Sequence, residues 1–253
     1  MKAIIPVAGA GTRLRPFTYT QPKSLIPVAG KPILSFIIDE LLEANVNEFI
    51  FIIGYLGDKI RDFIQEKYPN LQATFVIQEQ REGLAHAVSL TKPFVQENEP
   101  VFIILGDSII DVNFKEIIQS GKSTLGFKKV DNPTKFGILE MDAEGNIKSL
   151  VEKPAIPKSN LALVGFYLIK ETKELFHCID HLIQSKQQTN GEYQLTDALM
   201  CMVHAGVQFQ CHKVENWFDV GKGDILLQTN AQLLKKQGRV DEQAVVENSI
   251  IIE

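Results

Sequence analysis

The chain has 253 residues, of which 45% are hydrophobic and 23% charged, with a formal net charge of -5. This is enough apolar material for one large α/β domain or two small ones, and the acidic balance argues against nucleic acid or an anionic membrane as main partner. No apolar run reaches the length of a membrane span. The first strand is too quickly followed by Gly and Arg for a signal peptide, so the cytoplasm is the expected compartment.

The first predicted element, Lys2–Ala8, is a short apolar run that reads as a buried strand. The chain then turns at GAGTRLRP, where Gly9 and Gly11 bracket an alanine. Glycines reach φ values that other residues avoid, and several outward-facing amides make a concave anion site. Arg13, Arg15 and Lys23 add positive charge within the same loop. Polyphosphate is the ligand this pattern predicts, with Arg15 either joining that charge or pairing with a carboxylate. The loop is not a Walker A sequence. It also lacks the third glycine of G-x-G-x-x-G, since Leu14 stands there, and Pro16 prevents an immediate helix.

Next comes a helix entered at Pro32, with apolar residues at 3.6 spacing through PILSFIIDELLEAN. Strands ending at Gly54, Gln78 and Asp107 follow, separated by helices over 55–67 and about 82–91. Fully apolar strands alternating with helices predict a doubly wound, mostly parallel, Rossmann-like α/β sheet covered on both faces. After Ser120 the rhythm changes to the strands STLGFKKV, FGILEMD, NIKSLVEK and LALVGFYLI, with a hairpin turn at DAEGN. Helices return over 172–185, 193–205 and 224–237, and no linker or repeat divides the chain, which predicts a single domain.

Cys178, Cys201 and Cys211 are odd in number and form no C-x-x-C pair, so reduced, buried thiols are expected. His177 and His181 stand at i, i+4 on a predicted helix. With no Glu or Cys completing a set, a surface helix is favoured over a zinc pair. In open α/β sheets ligands bind beyond the carboxyl ends of the strands. That rule gathers Gly9–Arg13, Gln78 with Gly83, and Asp107 into one predicted site.

The strings GAGTRLRP with Lys23, QEQREGLAHA, LGD, VEKP, SNLALVGFY, GEYQLTDA and WFDVG occur in order from residue 3 to about 221. In these the sequence resembles the sugar-1-phosphate nucleotidyltransferases, or NDP-sugar pyrophosphorylases, whose reaction joins a nucleoside triphosphate to a sugar 1-phosphate and releases pyrophosphate. The resemblance implies nucleotide contacts from Ala8, Gly9, Gly11, Thr12, Arg13, Gln78 and Gly83, with Arg13 and Lys23 catalytic. It implies sugar-phosphate contacts from Gly137, Glu152, Lys153 and Gly165, and supporting positions for Asn160, Thr196 and Asp197. It assigns Mg²⁺ to Asp107 and Asp219, and Ser108 stands where many relatives have Asn. Residues 1–120 become a nucleotide half, 121–221 a sugar-phosphate half and 222–237 a C-terminal helix.

Substrate signals point two ways. GLAHAV, SNLALVG, GEYQLTDA and WFD resemble UDP-glucose pyrophosphorylases, favouring UTP and glucose 1-phosphate. QPKSLIPVAGKPIL resembles the branch that holds thymidylyl- and guanylyltransferases. A non-catalytic regulatory subunit that binds NDP-sugar is the reading from another class, disfavoured by the presence of Lys23, Asp107 and Asp219. Residues 238–253, with AVVENSIIIE, resemble a single hexapeptide β-helix coil; one coil cannot bury its own face. Packing on the domain, a homo-oligomer contact and a chain cut short all remain open for it.

Overall fold

The computed structural model describes residues 1–221 and 223–237; the predicted extension at 238–253 lies outside the described residues. The first half contains β1 (Lys2–Pro6), β2 (Pro27–Val28), β3 (Lys31–Pro32), α1 (Ile33–Glu43), β4 (Glu48–Ile53), α2 (Gly57–Lys67) and β5 (Gln72–Ile77). It continues with α3 (Leu84–Ser89), β6 (Val101–Ile104), β7 (Ser108–Asp111) and α4 (Phe114–Gln119). The second half contains β8 (Thr124–Lys129), β9 (Gly137–Met141), β10 (Ile147–Glu152), β11 (Leu161–Ile169) and α5 (Thr172–Gln184). It ends with α6 (Leu195–His204), β12 (Gln210–Lys213), β13 (Asn216–Asp219) and α7 (Gly223–Gln237).

Strands β6, β1, β4 and β5 lie side by side and parallel. Strand β11 joins the free edge of β6 antiparallel and pairs with β8 along its other edge, with β12 beyond. The start of β11 takes β9 as neighbour, and β9 takes β10. Gly165, at φ +80, marks the change of partner: its carbonyl accepts from Leu105 N at 2.9 Å. A Cβ there would come within 2.8 Å of the Leu105 side chain.

Alternation along the central strands divides the interior in two. Ala3, Ile5, Phe49, Phe51, Phe102 and Ile104 face one core, with residues of α1, α2 and α4. Ile4, Ile50, Ile52, Val101 and Ile103 face the other, with residues of α3, α5 and α6. Because both faces are covered, the strands read as unbroken apolar runs. Helix α7 closes a third, smaller cluster: Leu226 and Leu233 pack against Leu14, Ile26, Val28, Ile33, Ile109 and Val220. The Asn230 side chain also accepts from Ala29 N at 2.8 Å.

The predicted strands ending at Ala8, Gly54, Gln78 and Asp107 stop earlier, at Pro6, Ile53, Ile77 and Ile104. The next residue still bonds to the sheet at three of these ends: Val7 N donates to the Ile52 carbonyl, Gln78 N to the Ile53 carbonyl and Leu105 N to the Gly165 carbonyl. Helix α4 and strands β7, β12 and β13 are four to six residues long and leave no readable period. The expectation of reduced thiols is corrected: Cys178 of α5 and Cys201 of α6 form a disulfide with Cα atoms 5.8 Å apart, leaving Cys211 free. Packing of α5 on α6 brings together residues 23 apart in sequence, a pairing that spacing does not reveal. Burial pushes the Cys211 thiol up to about 11. No described helix is long and apolar enough to cross a membrane.

Candidate active site

A cleft of about 450 Å³ opens at the carboxyl ends of β1, β5 and β6, lined by Ala8, Gly9, Lys23, Gln78, Gly83 and Asp107 among others. A second cavity of about 180 Å³ shares Asp107, Glu152, Lys153 and Gln194 with it and adds Arg13, Gly137, Gly165, Thr196, Trp217 and Asp219. The two are thus one continuous site, and the shared residues lie at the join.

The two glycines of the opening loop do different jobs. Gly9 has open space where a Cβ would stand, so its backbone faces the cleft. Gly11, at φ +59, is pressed against Thr18 Cγ2 (2.9 Å from an added Cβ) and Lys23 Cβ (3.1 Å). Its carbonyl accepts from the Thr18 hydroxyl at 2.8 Å. Gly11 therefore folds the loop back onto the turn Lys23–Leu25, and neither Gly11 nor Thr12 lines the cavities. Among the described residues Arg15 pairs with no carboxylate; its guanidinium lies 4.9 Å from the centre of the Tyr19 ring, a cation–π contact.

Lys23 Nζ donates to Asp107 Oδ2 at 2.5 Å, with the lysine side chain only 13% exposed. Asp219 is brought alongside by a two-stranded ribbon: β13 pairs antiparallel with β7 so that Asp219 stands opposite Ser108. Val220 N also donates to the Asp107 carbonyl at 3.1 Å. Arg13 and Asp219 converge on Gly221, where an added Cβ would lie 3.2 Å from Arg13 Nη2 and 3.0 Å from Asp219 Oδ1. Among the described residues no group of three or more His, Cys, Asp and Glu side chains could hold a metal ion. Two carboxylates at one lip form an oxygen-only set that leaves positions for phosphate and water, which fits Mg²⁺. His177 and His181, both exposed on α5, belong to no such group.

Gln78 is 7% exposed; its Nε2 donates to the Gly83 carbonyl at 3.2 Å and lies 3.3 Å from His86 Nδ1. Its Oε1 is therefore the atom left to accept from a ligand. Gly83, at φ +112, lies so close to the segment before α6 that a Cβ would come within 2.4 Å of Tyr193 O and 2.7 Å of Tyr193 N. Tyr193 N donates to the Glu82 carbonyl and Ala85 N to the Tyr193 carbonyl, locking that approach.

At the other end, β10 delivers Glu152 and the chain turns at Lys153, which holds φ +42. Lys153 N donates to the Phe136 carbonyl at 3.0 Å, and its Nζ lies 3.1 Å from Glu152 Oε1. The Thr196 hydroxyl, at the start of α6, donates to Glu152 Oε2 at 2.7 Å. Gly137 fits beneath this pair: an added Cβ would stand 2.9 Å from Thr196 Oγ1 and 3.0 Å from Glu152 Oε2. Burial raises the Asp197 carboxyl above its usual range, with the charge of Glu152 adding to the effect. Asn160 lies outside both cavities, its carbonyl accepting from Val130 N.

Sequence reading did not assign Arg81, Glu192, Gln194 or Trp217, which also line the site. Glu192 and Gln194 lie within GEYQLTDA, and Trp217 within WFDVG, so membership of those strings was the available signal. Trp217 packs edge-on against Phe136 at 5.1 Å and donates its indole N–H to Ser108 Oγ at 3.4 Å.

A nucleotidyl transferase family matches residues 2–236. The chain is 35% identical over 263 residues to the low-salt glycan biosynthesis nucleotidyltransferase of Haloferax volcanii, covering 99% of this chain and 72% of that one. It is 36% identical over 262 residues to the bifunctional protein GlmU of Methanocaldococcus jannaschii; all of this chain is covered, and it spans 60% of that relative's length. A solved structure of UDP-glucose pyrophosphorylase complexed with UDP-glucose superposes with a TM-score of 0.80 at 26% identity, covering 93% of this chain and 98% of that one.

Proposed function

This chain belongs to the nucleotidyl transferase family, and we propose that it transfers a uridylyl group from UTP to glucose 1-phosphate, giving UDP-glucose and pyrophosphate. The observation that carries this reading is one site with Gln78 and Gly83 at one end, a cation–carboxylate centre at Lys23 and Asp107, and a second cation, Lys153, at the other. Two polyanions must meet, so the chain's work is positioning and charge stabilisation. Gly9 offers its backbone to the triphosphate. Lys23 bridges the reacting phosphates, and Arg13 stabilises the departing pyrophosphate. Lys153 holds the sugar phosphate while Glu152 accepts from sugar hydroxyls. A sugar-phosphate oxygen attacks the α-phosphorus in line, and pyrophosphate leaves. Asp107 and Asp219 would hold Mg²⁺, which supplies charge neutralisation at the α-phosphate.

Gln78 supports a base with an imide N–H, and the strings GLAHAV, SNLALVG, GEYQLTDA and WFD lean to UTP among these. With Nε2 already engaged, Gln78 Oε1 accepts from the imide N–H that uracil and thymine share. Thymine differs by one methyl, which a pocket discriminates by about 1–3 kcal/mol, so dTTP is the second reading. Initial rates with UTP, dTTP, GTP and ATP against glucose 1-phosphate and mannose 1-phosphate test the pair. UTP with glucose 1-phosphate should be fastest and dTTP next. A clear preference for GTP with mannose 1-phosphate would overturn the assignment.

A further inference from the structure

The segment that leads into α6, with the first turn of that helix, serves both ends of the site. Tyr193 locks Gly83 at the base recess, Gln194 lines both cavities, and Thr196 holds Glu152 at the sugar end. Farther along the same helix, Met200 Sδ accepts from Leu150 N of β10 at 3.3 Å, two residues before Glu152. The next residue, Cys201, is bonded to Cys178 of α5. Helix α6 is thus clamped between a disulfide on one helix and the strand that delivers Glu152 and Lys153. We propose that the Cys178–Cys201 bridge is a thiol-exchange site for a small dithiol reductant, and that its redox state sets the affinity of the sugar-phosphate end.

The two sulfurs differ in access. Cys178 is fully buried, whereas Cys201 lines a surface cavity of about 540 Å³ with His181, His204, Gln188 and Asp197. That volume admits a small thiol, two imidazoles face it, and Asp197 is the acidic group it would meet. Attack therefore falls on Cys201 Sγ, because exchange requires in-line access of a thiolate to one sulfur. A bond forms between the reductant sulfur and Cys201 Sγ as the Cys201–Cys178 bond breaks, and the electron pair leaves on Cys178 Sγ. That thiolate takes up a proton from water, and Glu174 Oε1, 3.7 Å away, is placed to accept from the resulting thiol. The reductant's second thiolate then attacks its own sulfur in the mixed disulfide, releasing a cyclic disulfide and the Cys201 thiolate, which is protonated in turn. The protein gains two electrons and two protons, and the dithiol loses them.

Reduction removes the covalent tie between α5 and α6 while their apolar packing remains, so the Thr196–Glu152 hydrogen bond and the setting of Lys153 lose one support. The Michaelis constant for the sugar phosphate should rise by about fivefold, the lower end of typical coupling between sites, with kcat little changed. This regulatory reading rests on the sugar-phosphate assignment above.

The test uses the full chain in two states, air-oxidised and pretreated with dithiothreitol. Thiol titration in denaturant should count one free thiol before reduction, Cys211, and three after it. Glucose 1-phosphate is then titrated in each state, following both turnover and the fluorescence of Trp217, the chain's one tryptophan, which lines the sugar cavity. Weaker binding in the reduced state, absent in C201S and retained in C211S, supports the proposal. Three titratable thiols in the oxidised protein, equal affinity in both states, or a C201S protein that still responds to dithiothreitol would each overturn it. Absence of turnover and of binding with any sugar phosphate in both states would instead count against the proposed function, while the thiol count still reports on the bridge.

Discussion

At the Gly9–Gly83 end of the cleft two glycines bring backbone to the site beside the Lys23, Gln78 and Arg81 side chains; at the Glu152–Lys153 end side chains are held by other side chains. Gly83 meets the Tyr193 main chain so closely that no Cβ fits, and Gln78 is fixed by a carbonyl. Glu152, by contrast, is held by the Thr196 hydroxyl and the Lys153 ammonium. The first end lies beyond parallel strands, of which β5 forms one margin of the sheet; the second lies on the antiparallel hairpin of β9 and β10 at the other margin. A main-chain contact such as Gly83 against Tyr193 changes only when the fold does, so the choice of base is left to the Gln78 side chain. A side-chain-built end can be retuned by single substitutions, and it is where related transferases with different sugars are expected to diverge.

The sharpest break in this comparison falls at Asp107, which lines both cavities, and at the Lys23 ammonium paired with it. Lys23→Ala should lower kcat by about 10²–10³-fold, the cost of losing one positioned transition-state donor. Asp107→Asn should cost at least as much, since it removes the partner of a largely buried lysine and one of the two carboxylates assigned to Mg²⁺. Asp219→Asn should also cripple turnover while circular dichroism stays native. Near-normal rates for Asp219→Asn at saturating Mg²⁺ would remove that residue from the metal assignment.

Lys153→Ala addresses the sugar end alone. It should raise the Michaelis constant for the sugar phosphate by about tenfold or more, equivalent to the 1.5–3 kcal/mol of a hydrogen bond to a charged group. The constant for UTP should hardly move. If kcat falls instead and the sugar constant stays put, Lys153 acts on the reacting phosphates and its role has been exchanged with that of Lys23.

Gly83→Ala addresses the nucleotide end. At φ +112 and with Tyr193 O at 2.4 Å, a methyl group must displace backbone. The strain, about 1–3 kcal/mol, should appear as lost stability in urea denaturation, as a raised Michaelis constant for UTP, or as both. A variant with wild-type stability and wild-type UTP affinity would show that the close approach to Tyr193 is dispensable.

The same contrast explains what was legible in the sequence. Gly9, Gln78, Gly83 and Asp107 were readable because each interrupts an apolar run, and a parallel sheet places such interruptions at one end. The pairing of Asp219 with Ser108 was not readable, because β7 and β13 are four residues each, carry no period and are separated by residues 112–215. Without the family resemblance, Asp219 was an ordinary strand-end carboxylate. The resemblance makes Gly11 a triphosphate contact, and the structure gives it a second use, folding the loop onto Thr18 and Lys23. Composition could not separate these, since both uses need a positive φ. The disulfide was misread for a related reason: pairing depends on how α5 packs against α6, which no local pattern encodes.

The smallest expected effect tests whether the sugar end truly depends on second-rank support. Thr196 is 5% exposed, and its hydroxyl donates to Glu152 Oε2 while Lys153 Nζ approaches Oε1. Glu152 thus has one oxygen fixed by a neutral donor and one by a cation, and losing the hydroxyl leaves the carboxylate free to swing toward Lys153. Thr196→Val keeps the volume and removes only that hydrogen bond, worth about 0.5–1.5 kcal/mol. The Michaelis constant for glucose 1-phosphate should therefore rise about two- to tenfold, with kcat and the UTP constant unchanged. Thr196→Ser, which restores the hydroxyl, should recover most of the loss. A purely packing role for Thr196 predicts the opposite order, with valine tolerated and serine impaired, and that order would break the contrast drawn between the two ends.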